Sequence, residues 1–289
     1  MIACGAQSEV GKLRVVLVHR PGEELLTISR DAPELHLFRE RPRLDAAVRE
    51  FDELVDALKS LGVEVVNVSR WRDANQVFIR DAAVVTKAGA ILANFGARVR
   101  QGEEEVVAGE LKRLGVPVVS RVKSPGHFEF GDLLFLRPDA VLLGLSRRSD
   151  GCGARQVAAL LRRFGAVRRC YVTEVLPPAV HLDMAVNLAA EQLAALYPGA
   201  VDGAAEEALR AEGYEVVQVP EGDFRNLALN WLAVEPGRVL MVDGYGKNRC
   251  TRRLLESFGV DVVSVDISEL AKGQGGVRCM TLPVLREER

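Results

Sequence analysis

Cysteine is scarce in this sequence, and the few cysteines are not spaced as pairs or metal ligands. Five cysteines are scattered over 289 residues without a Cys-x-x-Cys motif. An odd number of isolated thiols argues against a disulfide framework, and the missing motif argues against a structural zinc site. We therefore expect reduced thiols and a cytoplasmic protein.

An excess of charge and long apolar runs are also missing. The 38 basic and 40 acidic residues give a net charge of −2, which indicates no basic surface for nucleic acid. The apolar stretches LLFL and VLLGL are separated by Arg137, Pro138 and Asp139, and both are far too short to span a bilayer. The opening residues, MIACGAQSEVGK, contain no apolar run of signal-peptide type. These absences predict that neither nucleic acid nor membrane is a partner.

A repeat with a period near 50 residues dominates what is present. Amphipathic helical stretches end at a glycine, and a valine-rich segment follows it, as in LKSLGVEVVNV and LESFGVDVVSVD. The glycines, separated by 53, 50, 48 and 46 residues, are Gly62, Gly115, Gly165, Gly213 and Gly259. A regular period of this length indicates repeated structural units that share one core.

Each unit predicts the same secondary structure. Apolar residues three and four apart between Leu44 and Leu61 give a helix one buried face, and Gly62 supplies the left-handed residue that ends it. Ala88–Gly89 and Pro138–Asp139 separate apolar segments and predict hairpin turns. The unit is therefore strand, hairpin, helix, strand. Five units predict an α/β propeller with fivefold pseudo-symmetry, formed by residues 1–289 as one domain.

Polar and reactive residues follow the five glycines at similar distances along the chain. They are Asp81, Glu129, His181, Asn226 and Cys279. A fivefold ring would bring these positions together near its axis. For Asn226 the sequence suggests no chemical role.

The residue types in this set favour chemistry on a guanidinium group. An isolated cysteine is usually a buried apolar residue, but Cys279 lies in GQGGVRCMTLP, where glycines allow the backbone to approach a ligand closely. Several carboxylates in one pocket need a positive partner, and a planar guanidinium offers them five N–H donors. Its central carbon would then face Cys279, while His181 protonates the departing amine and later activates water.

The sequence resembles the guanidino-group-modifying enzymes of the pentein superfamily. The motifs SEVGKLRVVLVHRPG, NQVFIRD, EFGD, GLSRRSD, HLD and GGVRCMTLP occur in the family's order over most of the chain. Arginine deiminase is closest in motif, and dimethylarginine dimethylaminohydrolase in compactness. The resemblance implies a pentein propeller with a single catalytic domain. It also implies hydrolysis of L-arginine to L-citrulline and ammonia through a covalent cysteine (thiouronium) intermediate, without metal or organic cofactor.

The resemblance also implies a role for each matching residue. Cys279 is the expected nucleophile, His181 the general acid and base, and Glu129 the acid that binds guanidinium and supports the histidine. The expected substrate-binding residues are Asp81 and Asp183 at the guanidinium, Arg148 and Arg100 at the α-carboxylate, and Asn75 at the amino-acid end.

Two departures from the family pattern leave the substrate open. The helical insertion that arginine deiminases carry before NQVFIRD is absent, and Arg278 directly precedes the cysteine. Methylated arginine is therefore an alternative substrate, and transfer of the amidino group to an amine is a further alternative. Asp183 favours unmethylated arginine, because methyl groups would leave one buried carboxylate without a donor, at about 1–3 kcal/mol.

Two readings from other classes also stay open. His127, Glu129, His181 and Asp183 could form a His/carboxylate metal site, although Cys279 would then have no role. A non-catalytic pentein that serves as a binding scaffold is the second, and it would have no reason to retain the catalytic set. The sequence leaves the oligomeric state open, a homo-oligomer included.

Overall fold

The computed structural model describes residues 3–68, 74–243 and 246–287, which form a mixed α/β fold. The helices are α1 (Leu44–Ser60), α2 (Glu103–Arg113), α3 (Gly151–Phe164), α4 (Gly203–Ala211), α5 (Glu221–Arg225) and α6 (Arg249–Ser257). The strands are β1 (Leu13–Val18), β2 (Glu64–Asn67), β3 (Ala83–Thr86), β4 (Gly89–Leu92), β5 (Val118–Arg121), β6 (Leu133–Arg137), β7 (Ala140–Leu145), β8 (Arg169–Glu174), β9 (Val186–Ala190), β10 (Leu193–Leu196), β11 (Glu215–Gln218), β12 (Leu232–Glu235), β13 (Arg238–Val242), β14 (Asp261–Val265) and β15 (Leu282–Arg286).

The strands of the described residues form five three-stranded sheets that repeat one topology. In four of them an antiparallel hairpin is followed by a helix and a third strand parallel to the middle one: β3-β4-β5, β6-β7-β8, β9-β10-β11 and β12-β13-β14. Parallel neighbours need a crossover, and α2, α3, α4 and α6 supply it. The predicted unit of strand, hairpin, helix and strand is therefore confirmed.

The remaining sheet joins the two ends of the chain. In the order β15-β1-β2, the C-terminal strand pairs antiparallel with β1, and α1 connects β1 to the parallel strand β2. Neighbouring sheets pack through contacts of β15 with β3, α4 with β8, β9 with β12, and β12 with β1. Residues far apart in sequence thus meet around one centre.

The helices bury the face that the sequence pattern predicts. In α1, Phe51, Leu54 and Leu58 are almost fully buried at spacings of three and four. Burial of one such side chain stabilises the fold by about 1.5–3 kcal/mol. Within the described ranges, no helix combines the length and the apolar character that a membrane span requires.

The glycine stops follow the prediction in four units and differ in the third. Gly62, Gly115, Gly213 and Gly259 have φ angles of 78°, 82°, 81° and 78°, the left-handed region that glycine adopts without steric penalty. In the third unit Gly165 has φ −106°, and the next residue, Ala166, has φ 54°. The left-handed residue there lies one position later than the pattern predicts.

Candidate active site

The candidate residues lie just before the first strand of each hairpin. Short turns at Ile79–Ala82, Phe130–Asp132 and Leu182–Met184 precede β3, β6 and β9, and the middle turn contacts both others. Six of the eight residues proposed from the sequence line one small cavity: Asn75, Asp81, Arg100, Arg148, His181 and Cys279. Glu129 and Asp183 border it through their contacts with His181 and Cys279. The fold thus brings all eight together.

His181 is held between two carboxylates. Its Nε2 lies 2.9 Å from Oε2 of Glu129, and its Nδ1 lies 3.8 Å from Oδ1 of Asp81. Burial alone would lower the pKa of His181, but Asp81, Asp132 and Glu129 outweigh burial and raise it to about 10. The imidazole is therefore protonated at neutral pH and can act as a general acid.

Cys279 is buried and lies against Asp183. Its Sγ is 3.5 Å from Oδ2 of Asp183, and its backbone N–H donates to Oδ1 of Asn230 over 3.2 Å. Burial, together with the charges of Asp183 and Asp81, raises the pKa of the thiol well above its ordinary value. The thiol is therefore neutral until a positive group enters the cavity.

Three buried carboxylate oxygens have no hydrogen-bond donor among the described residues. They are Oδ1 of Asp81, Oε1 of Glu129 and Oδ1 of Asp183. Such oxygens are destabilising unless a ligand supplies N–H donors. Gly131 keeps the space beside them open, since a Cβ there would lie 2.7 Å from Oδ1 of Asp81. The cavity is thus complementary to a cation with several N–H groups.

The two arginines of the cavity differ in what they can still bind. Every guanidinium nitrogen of Arg100 donates to a protein acceptor: Asp81, Glu103, Glu129 or the carbonyl of Phe78. The Nη1 of Arg148 lies 3.5 Å from Oε1 of Glu129 and makes no hydrogen bond within the described chain. Of the two, Arg148 has the donor that is free for an incoming carboxylate.

Asn75 lies at the entrance side of the cavity. Its side chain is buried and donates to the carbonyl of His36 over 3.0 Å. Nearby, Gln274 donates to the carbonyl of Leu37 over 3.2 Å and also lines the cavity. These contacts join the segment before α1 to the glycine-rich loop before Cys279.

Asn230 is a site residue that the repeat did not identify. Its Oδ1 accepts from the N–H groups of Gly276 and Cys279, and its Nδ2 donates to the carbonyl of Asp183. Asn226, the residue that the repeat places at this position, is exposed at the end of α5. Counting back from the following strand, as for the other site residues, would have found Asn230.

A metal ion is the other cation that this pocket could hold. Asp81, Glu129 and His181 each present a ligand atom, and these atoms lie within 4.8 Å of one another. However, Nη1 of Arg100 lies 2.6 Å from Oδ2 of Asp81 and 3.4 Å from Oε2 of Glu129. Because this guanidinium, Arg148 and the protonated histidine already place positive charge beside the carboxylates, the residues fit a metal poorly. His127 is instead oriented towards Asn94.

Known proteins carry the same fold and similar sequences. The sequence model of the eukaryotic N,N-dimethylarginine dimethylhydrolase family matches residues 39–286. The N(G),N(G)-dimethylarginine dimethylaminohydrolase of Pseudomonas aeruginosa is 29% identical over 84% of this chain and 90% of its own length. The arginine deiminase of Listeria welshimeri is 24% identical, with 99% of both chains covered. A dimethylarginine dimethylaminohydrolase crystallised as an adduct with 4-chloro-2-hydroxymethylpyridine is 25% identical, with a TM-score of 0.76 over 94% of this chain and 99% of its own.

The fold and the site define a pentein enzyme that hydrolyses guanidino C–N bonds. Within this class, the chain belongs to the N,N-dimethylarginine dimethylhydrolase family. Both the fold and the family resemblance that the sequence indicated are therefore confirmed.

Proposed function

We propose that this protein hydrolyses L-arginine to L-citrulline and ammonia through a covalent intermediate on Cys279. The observation that carries the proposal is the set of three buried carboxylate oxygens without donors, on Asp81, Glu129 and Asp183. An arginine guanidinium supplies N–H groups to all three and presents its carbon to Sγ. Arg148 and Arg100 are the proposed anchors of the substrate's α-carboxylate, with Asn75 at the amino-acid end.

In the proposed mechanism the substrate helps to activate the nucleophile. The guanidinium brings a positive charge next to a thiol whose pKa burial has raised, and this charge favours the thiolate. The thiolate of Cys279 attacks the guanidino carbon, and the proton of His181 passes to the departing amine. His181, now neutral, takes a proton from the water that attacks the thiouronium carbon. The C–S bond then breaks, and citrulline and the thiolate are released.

Methylated arginine is the second candidate substrate, and two observations favour it. The family model that matches the chain is that of dimethylarginine hydrolysis. In addition, Oδ2 of Asp183 accepts a 2.7 Å hydrogen bond from Arg278, so only one oxygen of Asp183 is free. A guanidinium with fewer N–H groups can still satisfy one free oxygen on each of the three carboxylates. The products would be citrulline and a methylamine.

Replacing Cys279 with serine tests the proposed function directly. We expect Cys279→Ser to lower citrulline formation from arginine by at least a thousandfold, because a hydroxyl is a far weaker nucleophile than a thiolate. The matched control is Cys250→Ser, which changes an exposed thiol outside the site and should keep full activity. Substantial citrulline formation by Cys279→Ser would contradict the covalent mechanism.

The same assay separates the candidate substrates. The wild-type protein is incubated with arginine, with dimethylarginine, and with arginine plus glycine, and the amine products are identified. Ammonia and citrulline from arginine support the first candidate, and a methylamine from dimethylarginine supports the second. Ornithine formed only when glycine is present would indicate amidino transfer instead.

A further inference from the structure

Glu9 is a buried carboxylate that the proposed mechanism does not use. It belongs to the segment SEVGK before β1, where Oγ of Ser8 accepts from the N–H groups of Val10 and Gly11 in a tight turn. Glu9 is only 4% exposed. Because a buried charge is destabilising unless it is paired, such a residue needs specific partners.

The partners of Glu9 come from three other parts of the chain. Its Oε1 accepts from the backbone N–H of Phe135, and both oxygens accept from Nη2 of Arg80 at 3.1–3.2 Å. Its Oε2 also accepts from Nε and Nη2 of Arg278, at 3.2 and 3.1 Å. These contacts lower the pKa of Glu9 to about 2 despite its burial. The carboxylate is therefore ionised over the whole working range of pH.

Arg278 connects Glu9 to the candidate active site. The edge formed by its Nε and Nη2 lies on Glu9, and its Nη1 donates to Oδ2 of Asp183 over 2.7 Å. Nη2 also donates to the carbonyl of Leu133, so the side chain is tied at both edges. A guanidinium is planar and rigid, and an edge fixed on one carboxylate therefore fixes the direction of the other edge.

Asp183 is the end of this chain of contacts. Its Oδ2 is shared between Arg278 and Sγ of Cys279, which leaves its Oδ1 without a donor. The position of Oδ1 is thus set by the hydrogen bond on Oδ2. A shift of about 1 Å in such a contact is enough to lower turnover by about a hundredfold.

We propose that Glu9 is a positioning residue for the reaction at Cys279, acting through Arg278 on Asp183. Glu9 holds Arg278, Arg278 holds one oxygen of Asp183, and the other oxygen faces the substrate guanidinium while Sγ faces its carbon. This role rests on the proposed function. Glu9 itself touches neither the substrate nor the reacting atoms.

The first experiment is a double-mutant cycle in kcat with the substrate that the wild type converts. Glu9→Gln replaces an acceptor oxygen with an amide that opposes the N–H groups of Arg278, and Arg278→Lys removes the planar fork. We expect each change to lower kcat at least tenfold, with a smaller change in KM because the α-carboxylate contacts are untouched. Since Glu9 acts through Arg278, the double variant should be no slower than Arg278→Lys. Effects that multiply in the double variant would overturn the proposal, as would wild-type kcat in Glu9→Gln.

The second experiment needs no substrate. Iodoacetamide alkylation at pH 8, resolved by peptide mass spectrometry, measures each thiol separately. Removal of the negative charge of Glu9 leaves Arg278 less neutralised, which favours the thiolate, so Cys279 should react several times faster in Glu9→Gln. Cys250, Cys152 and Cys170 should react at the wild-type rate. An unchanged rate at Cys279 would overturn the proposal.

Two controls separate positioning from loss of fold and from failure of the proposed function. If Glu9→Gln does not fold, Glu9→Asp keeps the charge with one methylene less; it should lower kcat at least threefold, and wild-type kcat would overturn the proposal. Glu110→Gln removes another buried glutamate that pairs with an arginine, outside the site, and should change neither kcat nor the rate at Cys279. If the wild type converts neither arginine nor dimethylarginine, the proposed function fails, but the alkylation rates still decide the role of Glu9.

Discussion

At the scale of single residues, the site is governed by buried charge around His181. The pKa of the imidazole is raised because carboxylates outweigh the effect of burial, and one of them, Asp132, had no assigned role in the sequence analysis. Asp132 is fully buried, and burial raises the pKa of its own carboxyl to about 7. Its oxygens accept from the hydroxyl of Ser146 and from the backbone N–H of Leu182. Asp132 therefore tunes the histidine from behind without bordering the substrate.

Replacing Asp132 with asparagine should change the pH dependence of the reaction. Asparagine can keep both hydrogen bonds but removes a negative charge, so the pKa of His181 should fall. We expect the alkaline limb of the kcat profile, where His181 loses its proton, to move to lower pH. An unchanged limb would contradict the coupling. Asp139→Asn, which removes a half-exposed carboxylate paired with Arg169, is the matched control and should leave the profile unchanged.

The same variant has a signature in stability. The native pKa of Asp132, about 7, lies above that of an unfolded aspartate, about 3.9, so the native state binds more protons between these values. The stability that this proton contributes is present below pH 4 and is lost as the pH rises through 7. Relative to wild type, Asp132→Asn should therefore gain unfolding free energy between pH 4 and 7, by at most about 1.4 kcal/mol per pH unit. Urea unfolding at several pH values measures this difference.

At the scale of elements, the ends of the helices show how local sequence sets backbone geometry. Ala166, which follows α3, takes the left-handed conformation with φ 54° in place of Gly165. Ala166→Gly should raise the unfolding free energy by about 0.5–1 kcal/mol, because glycine adopts this region without a Cβ clash. Gly62→Ala, at φ 78° and with open space around an added Cβ, should lower it by a similar amount. Urea titrations measure both changes, and a loss of stability in Ala166→Gly would contradict the assignment of strain.

The elements also show why the sequence predicted one part of the site and missed another. Asp81, Glu129 and Cys279 were found because their motifs stand directly before strands, and periodicity locates strands well. In the fourth unit the short helix α5 occupies the connection, so counting from the glycine stop reaches the exposed Asn226. Asn230, directly before β12, is the residue that contacts Cys279. Local insertions change distances from the helix but not from the strand.

At the scale of the whole molecule, the charge network behind the cysteine could not be predicted from local sequence. Glu9 looks like an ordinary surface residue before a strand, and its partners Arg80 and Arg278 lie 71 and 269 residues away. Their contact depends on β15 returning to pair with β1, which brings both ends of the chain into one sheet. Long-range pairing of this kind is set by the packing of all five units and leaves no periodic signal.

Because every unit contributes to one site, stability and activity should be lost together. The five sheets place one residue each next to the cavity or the cysteine: Asp81, Glu129, His181, Asn230 and Cys279. Damage to the core of any unit should therefore reach the site only through global unfolding. This view is tested in a unit whose helix lies outside the site.

Leu209 in α4 is fully buried in the core and contacts no reacting group. Leu209→Ala should lower the unfolding free energy by about 2–5 kcal/mol through lost burial and the cavity left behind, with kcat unchanged in the absence of urea. The urea midpoints of circular dichroism and of residual activity should fall by the same amount. Leu26→Ala, the same truncation at a side chain that is 45% exposed, should change the unfolding free energy by less than about 0.5 kcal/mol. If Leu209→Ala lost activity at a lower urea concentration than its circular dichroism signal, the site would unfold separately from the five-unit core.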